Sequence, residues 1–491
     1  MQLFLRLVRA LWVFGIIFLS YMAQLGMQQM LRSWERDRKT GRDVMRLPGW
    51  LWRRRKRLDE RNAKRLLRAI LRLRGVYIKL GQVLSIMGGF LPRVYTKELE
   101  ALQDQVPPRP FEELERTFEI DFGAQAEELY AKIERQPIAA ASLGQVHEAW
   151  LADGSKVAVK VLYPGIRDII KVDMRVLRLA IEVYKWFVPV RGIERVHEAL
   201  VDLLRRETDY EHEAAMMERM AANFAHVKDI LFPAVVHDLT TKNVLTMTFM
   251  EGLKINRIEE MPERGIDPHA VGVRMVESFY EQVFVHRLFH ADPHPGNFLV
   301  QAGKKPSRPK IVVLDFGAIS EVHQEMVDGM VEILQGLFDG DGERLLRGFY
   351  QMGFVSREGN KELLEKTVMT YFGKLMHIRD RTPGALMRAS PQELEQLADP
   401  EIAREELREL MRSVEYPDGW FYVERASVLM FWLVGQIDPD IDPMRIGFPY
   451  VMPLVMAKRA AEAAKASEPA AAVEPETASE PSGNLVESAL S

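Results

Sequence analysis

The stretch at residues 290–297, with the sequence HADPHPGN, restricts the fold and chemistry of this chain more than any other segment. Its Asp292 and Asn297 are five positions apart, and a later apolar run at 311–314 ends at Asp315-Phe316-Gly317. Apolar runs on both sides of the intervening loop predict a strand hairpin that joins the two polar segments. In-line phosphoryl transfer needs a carboxylate that orients the nucleophile. It also needs oxygen ligands from two separate segments that hold Mg²⁺ on the phosphates.

Taken alone, these residues support more than one hypothesis. The D-x-x-x-x-N spacing and the D-F-G triplet are those of a kinase catalytic loop and its metal-binding loop. His290, Asp292 and His294 alternate, so that on a strand they would share one face, as in a metal-hydrolase site. A third hypothesis is a polar turn held by Pro293 and Pro295. The other segments of the chain discriminate among these three hypotheses.

The composition limits the class of protein. A chain of 491 residues is long enough for two or three domains, and 47% hydrophobic with 28% charged residues is typical of a globular protein with a large core. The sequence has no cysteine, which excludes disulfides, cysteine–zinc sites and thiol catalysis. The net charge of −4 hides an asymmetry, because residues 32–74, the basic neck, contain 17 Lys and Arg against 5 Asp and Glu.

A charge-free run of 22 residues lies between Arg9 and Arg32 and predicts a membrane anchor. As a helix that rises ~1.5 Å per residue, it can cross a hydrocarbon core of ~30 Å. Three glutamines weaken its second half, so an interfacial helix and a buried helix remain alternatives. The basic neck, with tryptophans among its charges, favours contact with anionic lipid headgroups over nucleic acid. By the positive-inside rule it would keep the body on the cytoplasmic face of the membrane.

An alanine-rich turn and the strand after it are candidates for nucleotide binding. The turn, at 137–146, precedes a hairpin signal at Asp153-Gly154 and the strand sequence Val157-Ala158-Val159-Lys160. V-A-V-K is typical of the kinase strand whose lysine holds the α- and β-phosphates. The turn occupies the place of a glycine-rich loop, and its alanine methyl groups would make the approach to the phosphates different.

Two later segments complete the candidate nucleotide site. Residues 207–215 are dense in carboxylates, which is typical of a solvated acidic helix face. The alternative is that Glu213 pairs with Lys160, as the helix-C glutamate does in kinases. A predicted strand at 244–250 ends in Glu251-Gly252, a hinge whose backbone is placed to meet adenine.

With these segments in order, the chain resembles the UbiB/ABC1/ADCK family of atypical protein-kinase-like proteins, which is linked to ubiquinone biosynthesis. The resemblance covers roughly residues 60–340, and six signatures in the family's order set the hydrolase hypothesis aside. They are K-x-G-Q at 79–82, the alanine-rich nucleotide loop at 139–146, V-A-V-K at 157–160, E-x-D and E-A at Glu207, Asp209 and Glu213-Ala214, H-A-D-P-H-P-G-N at 290–297 and D-F-G at 315–317.

The resemblance implies an α+β class, with a two-lobed protein-kinase-like fold of small β-rich N-lobe and helical C-lobe. An N-terminal helical extension and a membrane anchor precede the lobes, and the extension is expected to pack over the nucleotide site. The implied divisions are an anchor helix at 1–31, the neck and K-x-G-Q extension at 32–136, an N-lobe at 137–252, a C-lobe at 253–466 and a disordered tail at 467–491.

The resemblance also implies ATP and Mg²⁺ as cofactors and assigns roles to residues, with Asn297 and Asp315 as metal ligands. In the expected catalytic set, Lys79 meets Glu207 and Asp209, and Lys160 meets Glu213. That set is Lys79, Gln82, Lys160, Glu207, Asp209, Glu213 and Asp292. The expected nucleotide contacts are Ile138, Ala139, Ala140, Ala141, Ser142, Leu143, Gly144, Gln145, Val146, Lys160, Met250 and Glu251. Departures from the family pattern at Leu162-Tyr163, Met216 and Met247-Thr248 bear on nucleotide selectivity and helix packing.

The segment after Gly317 bears on the substrate. A helical pattern begins almost at once, with Ser320 as the expected N-cap, and the sequence has neither a long activation segment nor A-P-E. Protein kinases dock peptides on that segment. We therefore expect ATP hydrolysis that supports isoprenoid-quinone biosynthesis, with pathway intermediates or enzymes as partners. The alternatives are a phosphotransferase that acts on a lipid, small molecule or protein, and a nucleotide-gated lipid-binding scaffold with little turnover.

One further apolar run, at 426–434, could belong to a membrane span or to the core. It is too short to span a bilayer and is flanked by Glu424 and Arg425. We therefore expect it in the core of the C-lobe.

Overall fold

A computed structural model of the chain describes residues 2–31, 33–36, 43–46, 49–86, 93–99, 102, 108–185, 193–356, 365, 369, 414–415 and 417–467. The predicted tail lies outside these residues, apart from residue 467.

Helices dominate the described part of the chain before residue 100. α1 (Gln2–Leu31) is followed by a short antiparallel pair, β1 (Ser33–Arg36) and β2 (Asp43–Arg46), and then by α2 (Gly49–Leu73), α3 (Val76–Ile86) and α4 (Arg93–Leu99). α2 is amphipathic, since Ala63, Ile70 and Leu73 are buried while its charged residues face outward. The outer surface of α2 is therefore basic.

The N-lobe is built on a five-stranded sheet in the order β3-β5-β6-β8, with β4 paired to β5. β5 and β6 form the predicted hairpin around Asp153-Gly154, and Val146 lies opposite Lys160 in its register. In chain order, the elements from residue 111 to residue 248 are α5 (Phe111–Phe122), α6 (Ala126–Leu129), β3 (Lys132–Ile133), β4 (Ala139–Ala140), β5 (Gly144–Trp150), β6 (Lys156–Leu162), α7 (Ile166–Lys185), α8 (Ile193–Glu207), α9 (Tyr210–Asn223), β7 (Ile230–Leu231), which joins the C-lobe sheet, and β8 (Val244–Thr248).

The C-lobe combines a small sheet, β7-β12-β11-β9, with a hairpin, β10-β13, and helices around both. A π-helical turn, Glu281–His286, joins the first of these helices to β10. The elements are β9 (Leu253–Lys254), α10 (Pro268–Tyr280), β10 (Leu288–His290), β11 (Phe298–Gln301), β12 (Lys310–Val313), β13 (Ile319–Glu321), α11 (Gln324–Asp339), α12 (Gly342–Met352), β14 (Val355–Ser356), β15 (Val414–Glu415), α13 (Trp420–Ile437) and α14 (Pro443–Ser467).

Buried apolar side chains form one continuous core that includes Ile70 of α2, Val159 of β6, Met217 of α9 and Phe316. A second cluster lies beneath the C-lobe helices and includes Phe289 and Ala426. A β-rich lobe and a helical lobe that share one core confirm the predicted α+β, two-lobed class.

The structure bears on two local predictions, one for Ser320 and one for the apolar run at 426–434. Ser320 was expected to cap a helix, which is wrong, because it lies on β13 opposite Phe289 and the helix begins at Gln324 with His323 as its N-cap. The run at 426–434 lies within α13, where Ala426 and Leu433 are buried, as predicted for core, while Trp432 stays exposed.

α1 has the length and composition of a membrane span. Its segment Arg6–Leu31 has a mean hydropathy of 1.7, and only 11% of the apolar window is buried against the rest of the protein. It is the one helix of this kind among the described residues.

Candidate active site

The backbone brings two polar loops of the C-lobe, residues 291–297 and residues 314–318, side by side. β11 and β12 pair with Phe298 opposite Val313, and the Leu314 N–H donates to the Asn297 carbonyl at 3.0 Å. On the other side, the Ala291 N–H donates to the Ala318 carbonyl at 2.8 Å. The hairpin predicted from the apolar runs therefore holds residues 291–297 against residues 314–318.

The expected metal ligands have suitable donor atoms for Mg²⁺. The Asn297 Nδ2 donates to the Asp292 carbonyl at 3.0 Å, which leaves the side-chain oxygen as the atom that can bind a cation. The Asp315 Oδ1 accepts from the Gly317 N–H at 3.0 Å. Burial raises the pKa of Asp315, but the positive charge of Lys160 outweighs it and lowers the pKa to about 2. An ionised carboxylate and an amide oxygen fit the preference of Mg²⁺ for oxygen ligands.

Lys160 of β6 lies between two acidic side chains, Glu213 of α9 and Asp315 of the D-F-G loop. Its ammonium forms an ion pair with Glu213 of α9, and it is 3.5 Å from the Asp315 Oδ2. The Glu213 carboxylate also accepts the Phe316 N–H at 3.2 Å, so that it ties α9 to the D-F-G loop. Burial lowers the pKa of Lys160, but the charges of Asp315 and Glu213 outweigh this, and the pKa is raised. The strand lysine is therefore a fixed cation.

Lys79 of α3 reaches the same acids from the N-terminal extension. Its ammonium pairs with Glu207 at the end of α8. Burial lowers the pKa of Lys79, but the nearby Glu207 and Asp292 carboxylates outweigh it, and the pKa is raised. Asp209, the other expected partner, caps α9 by accepting the His212 N–H at 3.2 Å. The side chain of Gln82 lies outside the described residues.

Sequence reasoning missed Arg425, which lies on Asp292. Its Nη2 is 2.9 Å from the Asp292 Oδ1, and the arginine side chain is 6% exposed. Burial raises the pKa of Asp292, but Arg425 and Lys79 outweigh it, and the pKa is lowered. The available signal was a single arginine at the edge of an apolar run predicted to be core, because a buried arginine needs a buried acid.

The alanine-rich turn is a tight strand connection. Ala139 and Ala140 form β4, and the Ala141 N–H donates to the Gly144 carbonyl at 2.8 Å. Gly144 is required there, since a Cβ would come within 2.4 Å of the Val161 carbonyl. Gln145 was expected at the nucleotide, but its side chain is buried and bonds to the Arg109 backbone and the Tyr163 hydroxyl. The remaining expected contacts in this turn are exposed at Ile138, half-buried at Val146 and buried at Ser142 and Leu143.

The expected hinge follows β8. The Phe249 N–H donates to the Lys156 carbonyl at 3.0 Å, and Met250 and Glu251 continue from there towards the C-lobe. The Glu251 carbonyl accepts from the Gln301 Nε2 at 2.6 Å. The hinge is thereby bonded to β11, the strand that follows Asn297.

The two histidines of the catalytic loop bond to the loop itself. The His290 Nδ1 faces the Asp292 N–H at 3.3 Å, and the His294 Nδ1 faces the Gly296 N–H at 3.2 Å. The His290 N–H donates to the Gln282 Oε1 at 2.9 Å, which fixes the loop to the π-helical turn. Among the described residues no cluster of histidine and carboxylate side chains has the geometry of a metal site of the hydrolase type.

A strand lysine paired with a helix glutamate, opposite an Asp–Asn loop and a D-F-G loop, is the arrangement of a protein-kinase-like fold. The model of the ABC1 atypical kinase-like domain matches residues 101–348. The chain therefore belongs to the ABC1 atypical kinase-like family, which confirms the resemblance seen in the sequence.

Named relatives agree with this assignment. "Protein ACTIVITY OF BC1 COMPLEX KINASE 8, chloroplastic" of Arabidopsis thaliana is 31% identical over 427 residues, which are 81% of this chain and 54% of the relative. "Probable protein kinase UbiB" of Marinobacter nauticus is 33% identical over 313 residues, 62% of this chain and 56% of the relative. The chain thus spans about half the length of the curated relatives it matches.

One solved structure shows the same fold. It is the complex of Rv3197 with erythromycin from Mycobacterium tuberculosis, with a TM-score of 0.52 and 23% identity over 80% of this chain and 96% of that one.

Proposed function

We propose that this protein is a membrane-associated, kinase-like ATPase that binds Mg-ATP and hydrolyses it in support of isoprenoid-quinone biosynthesis. The observation that carries the proposal is Lys160, which pairs with Glu213 and lies 3.5 Å from Asp315. The proposed role in quinone biosynthesis rests on the family and on relatives that include a protein named UbiB.

Each part of the site has a role in this reaction. Lys160, held by Glu213, binds the α- and β-phosphates. The Asn297 amide oxygen and the Asp315 carboxylate would hold Mg²⁺, which would offset the negative charge of the phosphates. Asp292 orients the attacking water. Its lowered pKa keeps the side chain ionised, and the carboxylate accepts a hydrogen bond from the water.

Hydrolysis is favoured over transfer to a peptide by the chain after Gly317. β13 begins at Ile319 and pairs with β10, and α11 starts at Gln324, so these described residues leave no open segment on which a peptide can dock. Arg425 also occupies one oxygen of the Asp292 carboxylate, which leaves less of that carboxylate for a bulky acceptor. Transfer to a lipid, small molecule or protein is the second candidate function, because relatives bear names such as "Probable serine/threonine-protein kinase abkD".

The proposed membrane contact rests on α1 and α2. They enclose a cleft of about 1060 Å³ whose lining combines Trp12 and Val8 with basic side chains of α2. Trp12 is 70% exposed, and among the described residues the α2 bases that line the cleft have no carboxylate within ion-pair distance. Such a surface suits anionic headgroups and an acyl layer beneath them, with the body on the cytoplasmic face. The basic residues are Arg61, Lys64, Arg65, Arg68 and Arg72.

Phosphate release from Mg-ATP by the full chain tests the function, with and without vesicles of acidic phospholipid. We expect release that the vesicles stimulate and that Asp315→Asn abolishes. The matched control is Asp168→Asn, since Asp168 is an exposed aspartate of α7 that pairs only with Lys171 within the described residues. Binding of ATP without phosphate release under any lipid condition would instead support a scaffold, and labelled γ-phosphate on a defined acceptor would support a transferase.

A further inference from the structure

Arg6 of α1 binds deep in the body of the protein. Its guanidinium forms a two-pronged ion pair with Asp173 of α7, with an Nη2–Oδ2 distance of 2.6 Å. Asp173 is 1% exposed. Burial raises the pKa of Asp173 and Arg6 opposes that change, so the buried acid depends on this arginine for its charge.

The same guanidinium completes the corner between α2 and α3. It donates to the carbonyls of Leu73 and Arg74, and it lies over the Tyr77 ring at 5.4 Å from the centroid. Arg74 and Gly75 both have positive φ, at 54° and 59°, so the chain turns abruptly there. The carbonyls at the end of a helix have no partner inside the helix, and Arg6 provides one for two of them.

The corner lies one turn before Lys79. The N–H groups of Ile78 and Lys79 both donate to the Gly75 carbonyl, at 3.0 and 3.4 Å. A change at the corner therefore shifts the start of α3 and with it the ammonium that pairs with Glu207. Glu207, the partner of that ammonium, lies beside the D-F-G loop, because a Cβ on Gly317 would come within 3.8 Å of the Glu207 Cγ and within 3.5 Å of the Asp315 Oδ1. Lys79 and a cation bound at Asp315 would therefore compete for the same group of carboxylates.

The outer face of α1 is poorly suited to water. Trp12, Leu19 and Met30 are 70%, 66% and 86% exposed, and a helix of this hydropathy gains free energy on entering a bilayer. The inner face is tied to the body by Arg6, by Ser20 with Asn62, and by Tyr21 with Asp59. These polar contacts and full insertion in a bilayer are mutually exclusive, so α1 has two competing environments.

We propose that Arg6 is a positioning residue and α1 a membrane-responsive latch. When α1 is docked, Arg6 fixes the α2–α3 corner and holds Lys79 on Glu207. When α1 enters the bilayer, the corner loosens, Lys79 leaves the carboxylates and the Mg-nucleotide binds more tightly. This inference rests on the proposed nucleotide site, but the latch itself can be measured without nucleotide.

The first test compares Arg6→Gln with Arg6→Lys in the full chain, using amide hydrogen exchange across Val76–Ile86 and the Kd of Mg-ADP. We expect Arg6→Gln to speed exchange in α3 and to tighten Mg-ADP by about tenfold, a usual size for coupling between sites. Lys retains the charge and should restore most of the wild-type behaviour. Arg178→Gln, which breaks an exposed ion pair on α7, is the matched control and should change neither.

A double-mutant cycle with Lys79→Ala separates the latch from a general loss of structure. If Arg6 acts through Lys79, Arg6→Gln no longer changes the Mg-ADP affinity in the Lys79→Ala background. An equal change in both backgrounds, or unchanged α3 exchange in Arg6→Gln, overturns the latch. Faster α3 exchange in a chain that binds no Mg-ADP supports the latch and instead refutes the proposed nucleotide function.

Cross-linking tests the movement of α1 directly, because the chain has no cysteine of its own. Ser20→Cys and Asn62→Cys place thiols where the two side chains are now 2.8 Å apart, and a short bis-methanethiosulfonate can join them by forming a disulfide with each cysteine and releasing methanesulfinate. Vesicles of acidic phospholipid should speed α3 exchange in the unlinked protein and leave the linked protein unchanged. An equal response of both forms shows that α1 does not move and refutes the proposal.

Discussion

Replacing Arg425 by Met should destabilise the protein far more than its position in a C-lobe helix suggests. The substitution leaves the Asp292 carboxylate, which is 20% exposed, without the guanidinium 2.9 Å away. Breaking a buried ion pair from one side usually costs about 3–5 kcal/mol. The nearby Lys79 charge still stabilises Asp292, so we expect a loss of about 3 kcal/mol, the lower end of that range.

The measurement is the free energy of unfolding by urea for wild type, Arg425→Met, Asp292→Asn and the double variant. Because the loss comes from an unpaired charge, adding Asp292→Asn to Arg425→Met should recover most of it, to within about 1 kcal/mol of wild type. Arg219→Met is the matched control. Its ion pair with Glu321 is half exposed and should contribute about 1 kcal/mol or less. A double variant that is as unstable as Arg425→Met would show that the arginine acts through packing and refute the charge argument.

Three further predictions concern the nucleotide site. Lys160→Met should abolish Mg-ATP binding in calorimetry, because Glu213 and Asp315 lose their shared cation, and Lys160→Arg should retain part of it. Gly144→Ala should lower the thermal midpoint by several degrees, since its Cβ meets backbone at 2.4 Å, whereas Gly26→Ala, with open space around it, should not. The pKa of Asp315 falls from ~3.9 in an unfolded chain to about 2, so its stabilisation is complete above pH ~4 and lost as the pH falls towards 2. Acid unfolding curves should therefore be shallower over that range for Asp315→Asn, and an unchanged curve would contradict the assignment.

The sequence was sufficient to predict those parts of the site whose residues lie close together in the chain. The hairpin at 298–313 follows from its apolar runs, and its pairing places the backbone of Asn297 beside that of Leu314, the residue before Asp315. The pairing of Lys160 with Glu213 was expected from the resemblance, and the structure contains it. These contacts depend on strand register and on motifs with fixed spacing, which a linear pattern encodes.

Contacts between distant segments were beyond sequence reasoning. Arg425 lies on a helix far along the chain from Asp292, and nothing in its neighbours indicates that partner. The failure at Ser320 has a related cause. The residues Ile319–Glu321, between Gly317 and α11, form strand β13 because their backbone groups pair with β10. Tertiary pairing of this kind overrides local helix signals. Gln145 matches the nucleotide-loop pattern by position, and its buried side chain accepts hydrogen bonds from the Arg109 N–H and the Tyr163 hydroxyl.

The charges of the site explain why metal and nucleotide should enter together. Four carboxylates, Glu207, Glu213, Asp292 and Asp315, face three cations, Lys79, Lys160 and Arg425. This set carries one net negative charge, so free ATP would add its phosphate charges to a site that has no net positive charge to offset them, and Mg²⁺ would offset part of that phosphate charge. Lys79 is the cation best placed to leave, because it comes from the extension and not from either lobe. Without Lys79 the set carries two net negative charges, which a divalent cation at Asp315 would neutralise. A site with a net negative charge therefore favours the magnesium complex over the free nucleotide.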